Sequence, residues 1–503
     1  MKRMSLNTLC ICLFITLMTL SYCSKESNQE KEVIIARVGN QSITLQEFLA
    51  RSELTIRPDF SAMPDSSEKI FVLNNLIAEK LLAVEGKDET ELLESPVFQG
   101  QIKGIQEQAM REELYFKKAR GEVQLSEEDI AKAYRLAGRE YEISFYSIHD
   151  HTLADSIGNK IKSNPHQFEK IYNDMFRGEK IPSKTVTYKD PDPFMVHEAF
   201  YSKTHDIGDV IGPVQVEDNF FMVMRIDNWK KNIVISEMDA NERMNDVKEK
   251  LTETKANRKW SEYVMDIMRG KEIKYTNETF IELSKIFFEI HGKGSNKINN
   301  DILKDFLKED DIKISFHDDI FQDLLLEKKF FEIDGEIWTV GDFKNTYLSH
   351  PLVFKYQPQN LGGFQHEFNN AIINLVRDYY LNKEAYKEKL DKHPHVQKEV
   401  TMWRDAYLAR FHQNKYLFHM MKRDDFDPEM MKGKENYLSV YVDSLQLKYR
   451  DKIWINKKVL KDIQLTRTPF LATKPNVPYP AVVPGFPLFT QDTSIDYGTA
   501  DHP

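Results

Sequence analysis

The chain has 503 residues, of which 41% are hydrophobic and 29% charged, and its net charge is −10 at neutral pH. This composition suits a globular protein of two to four domains with ample material for a core. The acidic balance argues against a nucleic-acid partner, because phosphate binding requires a basic surface.

The N-terminus reads as an export signal. Lys2 and Arg3 precede the apolar run Leu9 to Leu20, which is too short to span a bilayer comfortably. The cysteines are Cys10, Cys12 and Cys23, so nothing after Cys23 can form an internal disulfide. Leu20-Ser21-Tyr22-Cys23 resembles a bacterial lipobox, although Tyr22 stands where a small residue is usual. The expectation is a signal peptide over 1–22, lipidation at Cys23 and a polar tether over 23–32.

Residues 33–48, "VIIARVGNQSITLQEF", predict strand, turn at Gly39-Asn40, strand, then a helix opened by a Thr44/Glu47 capping box. Ile70, Leu73, Ile77, Leu81 and Val84 keep one helical face apolar. Helices are expected at 97–119 and at 127–137, the latter capped by Ser126 with Asp129. From Tyr141 the period becomes strand-like. A helix is predicted over 152–175, with strands at 184–188 and 210–226, the latter pair turning at Glu217-Asp218-Asn219. A long helix over 236–269 places Met238, Met244, Val247 and Leu251 on one face.

The second half echoes the first. "IDGEIWTVGDF" at 333–343 matches "VGNQSITLQEF" at 38–48 in residue type, and "NNAI" at 369–372 matches "NNLI" at 74–77 at the same offset. "KHPHV" at 392–396 parallels "ESPV" at 94–97. Duplication of one helical module is the simplest reading. Residues 437–465 alternate helix and strand. Six prolines between Pro469 and Pro487 exclude helix and central strand, so an extended tail on the surface, disordered or docking, is expected. The histidines of "HDDIF" (317–321) and "HPHV" (393–396) read as solvated turns, and "KEDD" (308–311) as a polar face or turn.

The opening strand–turn–strand–helix, the apolar "LNNLIAEKLLAVEG" and the insert "VHEAFYSKTHDIGDVIGPV" together resemble the SurA/PrsA/PpiD-type envelope foldases. The carrying positions in the insert are Glu198, Ala199, Tyr201, Gly208, Gly212, Pro213 and Val214. The resemblance covers roughly 33–275 and extends, through the repeat, to about 329–420. It implies an α+β fold with mainly helical, SurA-N-like chaperone modules and an inserted parvulin-like domain. The implied plan is a first module over 33–137 completed by 236–275, and a parvulin-like domain over 138–232. A helical connector (276–328), a second module (329–423) and a C-terminal segment (424–503) with the Pro-rich tail follow.

In that family, histidines on the first and last strands of the isomerase domain contribute to a hydrogen-bonded network behind the proline pocket. By resemblance, those places hold Phe145 and Met222 here. Pro193 and Val196 stand at pocket positions where Met and Phe are usual, and "KIPSKTVTYKD" replaces a glycine-rich turn. The substrate-pocket candidates are Phe145, Val196, Tyr201, Phe221 and Met222, with no catalytic residue assigned. His149 and His151 fall past the end of the first strand. The sequence contains no Gly-rich phosphate loop, Cys/His metal cluster or serine elbow, so no cofactor or metal is expected.

The expected function is an ATP-independent chaperone or foldase of exported proteins, lipid-anchored in the periplasm or outer membrane and binding unfolded chains through apolar grooves. The alternatives are an active parvulin-type prolyl isomerase and an accessory lipoprotein subunit of an envelope complex.

Overall fold

The computed structural model describes residues 32–55, 65–217, 220–291, 326–354, 360–431, 436–466 and 482–499. The signal segment, Cys23, the turn residues Asp218-Asn219, the 308–311 and 317–321 stretches and most of the 276–328 connector lie outside them. The fold is mixed α+β, dominated by helices, with small antiparallel sheets. The described residues divide into two compact units. One holds the residues up to Met110 and those from Gly270 onward; the other is Arg111–Arg269.

The first unit contains the repeated elements. Strands β1 (Ile34–Val38) and β2 (Gln41–Thr44) form a hairpin that leads into α1 (Leu45–Glu53) and the long α2 (Asp65–Glu85). Much later in the chain the same order returns. Strands β8 (Lys329–Ile333) and β9 (Glu336–Thr339) are followed by α10 (Val340–Ser349) and the long α11 (Leu361–Lys387). Both turns contain left-handed residues, Gly39 in one and Asp334-Gly335 in the other. A threonine caps the following helix in each copy. Thr339 and Asp342 form a complete capping box. At Thr44 only half of the box forms, because the Glu47 carboxylate lies 3.0 Å from Lys80 Nζ instead. The second long helix of each copy opens on proline at its first turn: α3 (Pro96–Lys118) and α12 (Pro394–Met421). "HPHV" is therefore a helix start with Val396 fully buried, not a solvated turn.

The two copies exchange these second helices. Helix α12 packs along α2 of the first copy. Helix α3 packs on the second copy, where Glu107 accepts bonds from Asn382 Nδ2 (2.9 Å) and Tyr386 Oη (3.3 Å) of α11. A Cβ added at Gly104 would fall 2.0 Å from the Ser349 carbonyl oxygen, so glycine there permits the close crossing. The third strands are exchanged too. Strand β7 (Lys274–Tyr275), which follows the first copy in the chain and leads into α9 (Asn277–His291), pairs with β8. Strand β10 (Ile453–Ile455), which follows the second copy and α13 (Tyr437–Lys448), pairs with β1.

Helix α2 differs from the one-faced helix expected. Residues 71–83 are buried all round, because β1–β2, α12, α13 and residues 482–499 cover it from several sides. The buried stretch includes charged groups. Arg51 and Glu79 form a two-pronged ion pair with both bonds at 2.8 Å, and Lys80 bonds Asp405 at 2.9 Å. The Pro-rich tail, where described, is not a loose surface segment. Phe489 is 4% exposed within the core, and Thr499 bridges to Trp454 of β10.

The second unit is built on a four-stranded sheet of order β4-β3-β6-β5. Its strands are β3 (Arg139–Ile148), β4 (Ser183–Val186), β5 (Val210–Glu217) and β6 (Phe220–Lys231). Helices α5 (His151–Ser163) and α6 (Phe168–Phe176) pack on one face. They replace the single helix expected over 152–175. Pro165 has no N–H for a continuing helix and disfavours helical backbone at Asn164, which is extended. The other face carries α4 (Glu127–Ala137), α7 (Phe194–Tyr201) and part of the long α8 (Glu237–Met268). Of the apolar row expected on α8, Val247 is fully buried but Met238, in the first turn, is largely exposed.

Candidate functional site

The sheet of the second unit positions the candidate residues. Strands β3 and β6 lie side by side at its centre, with Phe145 opposite Met224 and Ser147 opposite Met222. Met222 in turn faces Val214 of β5. Phe145, Met222 and Val214 are half-buried and pack on the core beneath α7. Together they make a short apolar strip. At one side of it Lys184 Nζ stands 6.0 Å from the Phe145 ring centre and is bonded to Asp192 at 2.7 Å.

The other candidates separate from this strip. Val196 is fully buried and offers no surface to a ligand. Tyr201 is buried, and its hydroxyl donates to the carbonyls of Arg139 (3.1 Å) and Val186 (3.3 Å), which makes it a clamp between strands. Phe221 lies on the opposite face, packed with α5 and α6 and edge-on to His151 at 5.4 Å. Adjacent strand residues point to opposite faces, so Phe221 and Met222 cannot line one pocket. Gly212 has φ 111, and a Cβ there would lie 2.4 Å from the Met222 carbonyl oxygen. The glycine of the Gly-Pro-Val motif is therefore required by the close approach of β5 to β6.

Two histidines not singled out in the sequence are buried in the same unit. His197 on α7 bonds the Tyr188 carbonyl through Nε2 at 3.0 Å and packs against the Tyr188 and Tyr201 rings. His205 bonds the Ala199 carbonyl through Nε2 at 2.9 Å. A carbonyl partner requires each Nε2 to carry the proton. Burial, with Lys250 nearby, pushes His197 down to about 4, and burial also lowers His205. Their positions in "VHEAFYSKTH", on and just after an apolar helix, were the available signal.

The neutral His197 makes an acid-sensitivity prediction. Its folded value lies below the ordinary 6.5, so the unfolded chain binds the proton first as pH falls. Its stabilisation is complete above about pH 6.5 and is lost on acidification toward about 4. Urea unfolding of the protein at several pH values should show this decline, and His197→Gln, which keeps a donor for Tyr188, should flatten it. An unchanged slope in that variant would remove His197 from the account.

Among the described residues, no group of three His, Cys, Asp or Glu side chains is placed to hold a metal, and no helix is long and apolar enough to cross a membrane. Comparison with known proteins gives no relative to lean on, since no family model, curated protein or solved structure matches the chain.

Proposed function

We propose that the protein is an ATP-independent chaperone or foldase of exported polypeptides, with SurA-N-like modules and a parvulin-like domain that acts as scaffold and not as catalyst. The carrying observation is apolar surface with no partner on its own unit. Ile233, Ile235 and Met238 are 78%, 91% and 66% exposed, in a run leading into α8. The same unit has an open groove of about 640 Å³ between α4 and α8, with Ile130, Tyr134 and Met244 in its walls. Isoleucine and methionine offered to water at this density suit reversible, sequence-tolerant contact with unfolded chains. No nucleotide is needed for binding of that kind.

The parvulin-like reading is supported by the central pairing of β3 with β6. Residues at the family's two histidine positions must share a face to form one network, and Phe145 and Met222 do share one. The scaffold reading is supported by what occupies that face: two apolar side chains over a fully buried Val196. Stabilising a twisted prolyl amide requires directed polar groups.

The double substitution Ile233→Asp with Ile235→Asp tests the apolar surface. Both side chains are exposed, so stability should move by no more than about 0.5 kcal/mol per site. Suppression of client aggregation should fall several-fold. Unchanged suppression would move the client surface elsewhere.

Export and lipid anchoring at Cys23 complete the proposal, resting on the basic head, the apolar run and the lone following cysteine. Cys23→Ser should shift the protein from the membrane to the soluble fraction. Failure of the wild-type chain to incorporate labelled fatty acid would contradict the anchor.

A further inference from the structure

Residues 482–499 are held by side chains that bond their main chain. Asn75 Nδ2 donates to the Thr490 carbonyl at 3.1 Å, while Asn75 Oδ1 accepts from the Phe489 and Thr490 N–H groups at 2.7 and 3.0 Å. Asn74 Nδ2 donates to the carbonyls of Asp492 (3.0 Å) and Ser494 (2.8 Å). Trp403 Nε1 donates to the Val482 carbonyl at 3.1 Å, and Arg51 Nη2 to that of Gly485 at 2.9 Å. Bonds to backbone carry little information about side-chain identity, as in other modes of extended-peptide capture.

The asparagines make this a built site. Asn74 and Asn75 are 0% exposed in the middle of the apolar α2. A buried amide without partners costs about 1–3 kcal/mol on mutational scales, so the groove demands an extended backbone. Pro484, Pro487 and Thr490, three residues apart, are buried together with Phe489, while Val482 and Leu488 are 44% and 45% exposed. That period suits polyproline II backbone. Phe486 stacks on Phe71 with ring centres 6.0 Å apart. The fit is incomplete. A cleft of about 430 Å³ remains beside Pro484–Gln491, with Trp403, Tyr407, Leu417 and Leu438 among its walls.

We infer that the groove formed by α2, α12 and α13 is a binding site for extended polypeptide bearing proline and aromatic residues, and that residues 482–499 fill it in cis as a displaceable stand-in for a client. This deepens the chaperone reading and rests on it for the identity of the occupant. A segment on the same chain competes at a high effective concentration, typically millimolar for short tethers. Weak segments of a client are turned away, and only an extended chain with several suitable residues displaces the strap. The unfilled cleft accommodates bulkier side chains than the strap supplies.

The test uses the full mature chain and a fluorescent decapeptide of sequence VVPGFPLFTQ, the chain's own residues 482–491. Anisotropy titrations compare wild type with Phe489→Ala, which weakens the strap, and with Phe489→Ala combined with Asn75→Ala. The weakened strap should raise peptide affinity at least tenfold over wild type, and loss of Asn75 should reverse the gain. Hydrogen exchange on the wild-type chain supplies a second readout, free of any folding defect in the variants. The Phe489 and Thr490 amides should exchange by local opening, faster than the amides of α2. Equal peptide affinity in a folded Phe489→Ala variant, or strap amides that exchange only with global unfolding, would make the strap a permanent part of the core and overturn the inference. Aggregation suppression is read separately. Peptide capture without it would keep the groove and sink the chaperone role, whereas suppression without peptide capture would sink the groove alone.

Discussion

Glu79→Ala is expected to lower the stability of the protein by about 3–5 kcal/mol, the usual cost of leaving a buried charge without its partner. Arg51 is 0% exposed, and its guanidinium is held by both Glu79 oxygens. Burial is the largest influence and opposes its charge, but Glu79, joined by Glu47 and Asp405, keeps the group above its ordinary value. Lys80 behaves alike: burial opposes the ammonium, while Glu47 and Asp405 together hold it charged. Domains of this kind retain about 5–15 kcal/mol in total, so the loss is a large fraction of what is available. Replacing the pair jointly, as Arg51→Met with Glu79→Leu, should recover most of it, because a well-packed apolar pair avoids the desolvation of both ions. Urea unfolding of the three chains decides the matter. A loss under about 1 kcal/mol in Glu79→Ala would mean that water or another group reaches Arg51.

The second large effect is an absence of chemistry. Polar or acid–base assistance is typically worth 10²–10⁴-fold. On the proposed parvulin-like reading, which puts Phe145 and Met222 at the histidine positions, cis/trans exchange of a proline peptide should stay near its uncatalysed rate in the presence of the protein. Phe145→His with Met222→His should not create activity, because Val196 is fully buried and offers a proline ring no surface. Exchange spectroscopy or a protease-coupled assay measures this. Acceleration of 100-fold or more by the wild-type chain would restore the isomerase alternative.

The repeat was legible because its signals are local. Turn glycines, capping threonines and a proline at the first helical turn each act within a few residues, so Gly39, Thr44 and Pro96 in the first copy, and Gly335, Thr339 and Pro394 in the second, announce the same elements twice. The exchange of α3 and α12 was not legible. Similar amphipathic faces in the two copies give periodicity no means to choose a partner, and the contact at Gly104 exists only once Ser349 is placed. The Asn74-Asn75 pair was visible as an echo, but its role depends on a segment more than 400 residues away. The break at Asn164-Pro165 and the opposite facing of Phe221 and Met222 were readable from proline chemistry and strand alternation alone.

The central claim, that the chain binds unfolded polypeptide without nucleotide and without isomerase chemistry, is tested most directly by light scattering. A chemically unfolded exported protein is diluted into buffer containing the protein and no ATP. The account predicts that scattering is suppressed in proportion to the protein added, approaching completion near stoichiometric amounts. Scattering equal to that with an inert protein of the same concentration would contradict it.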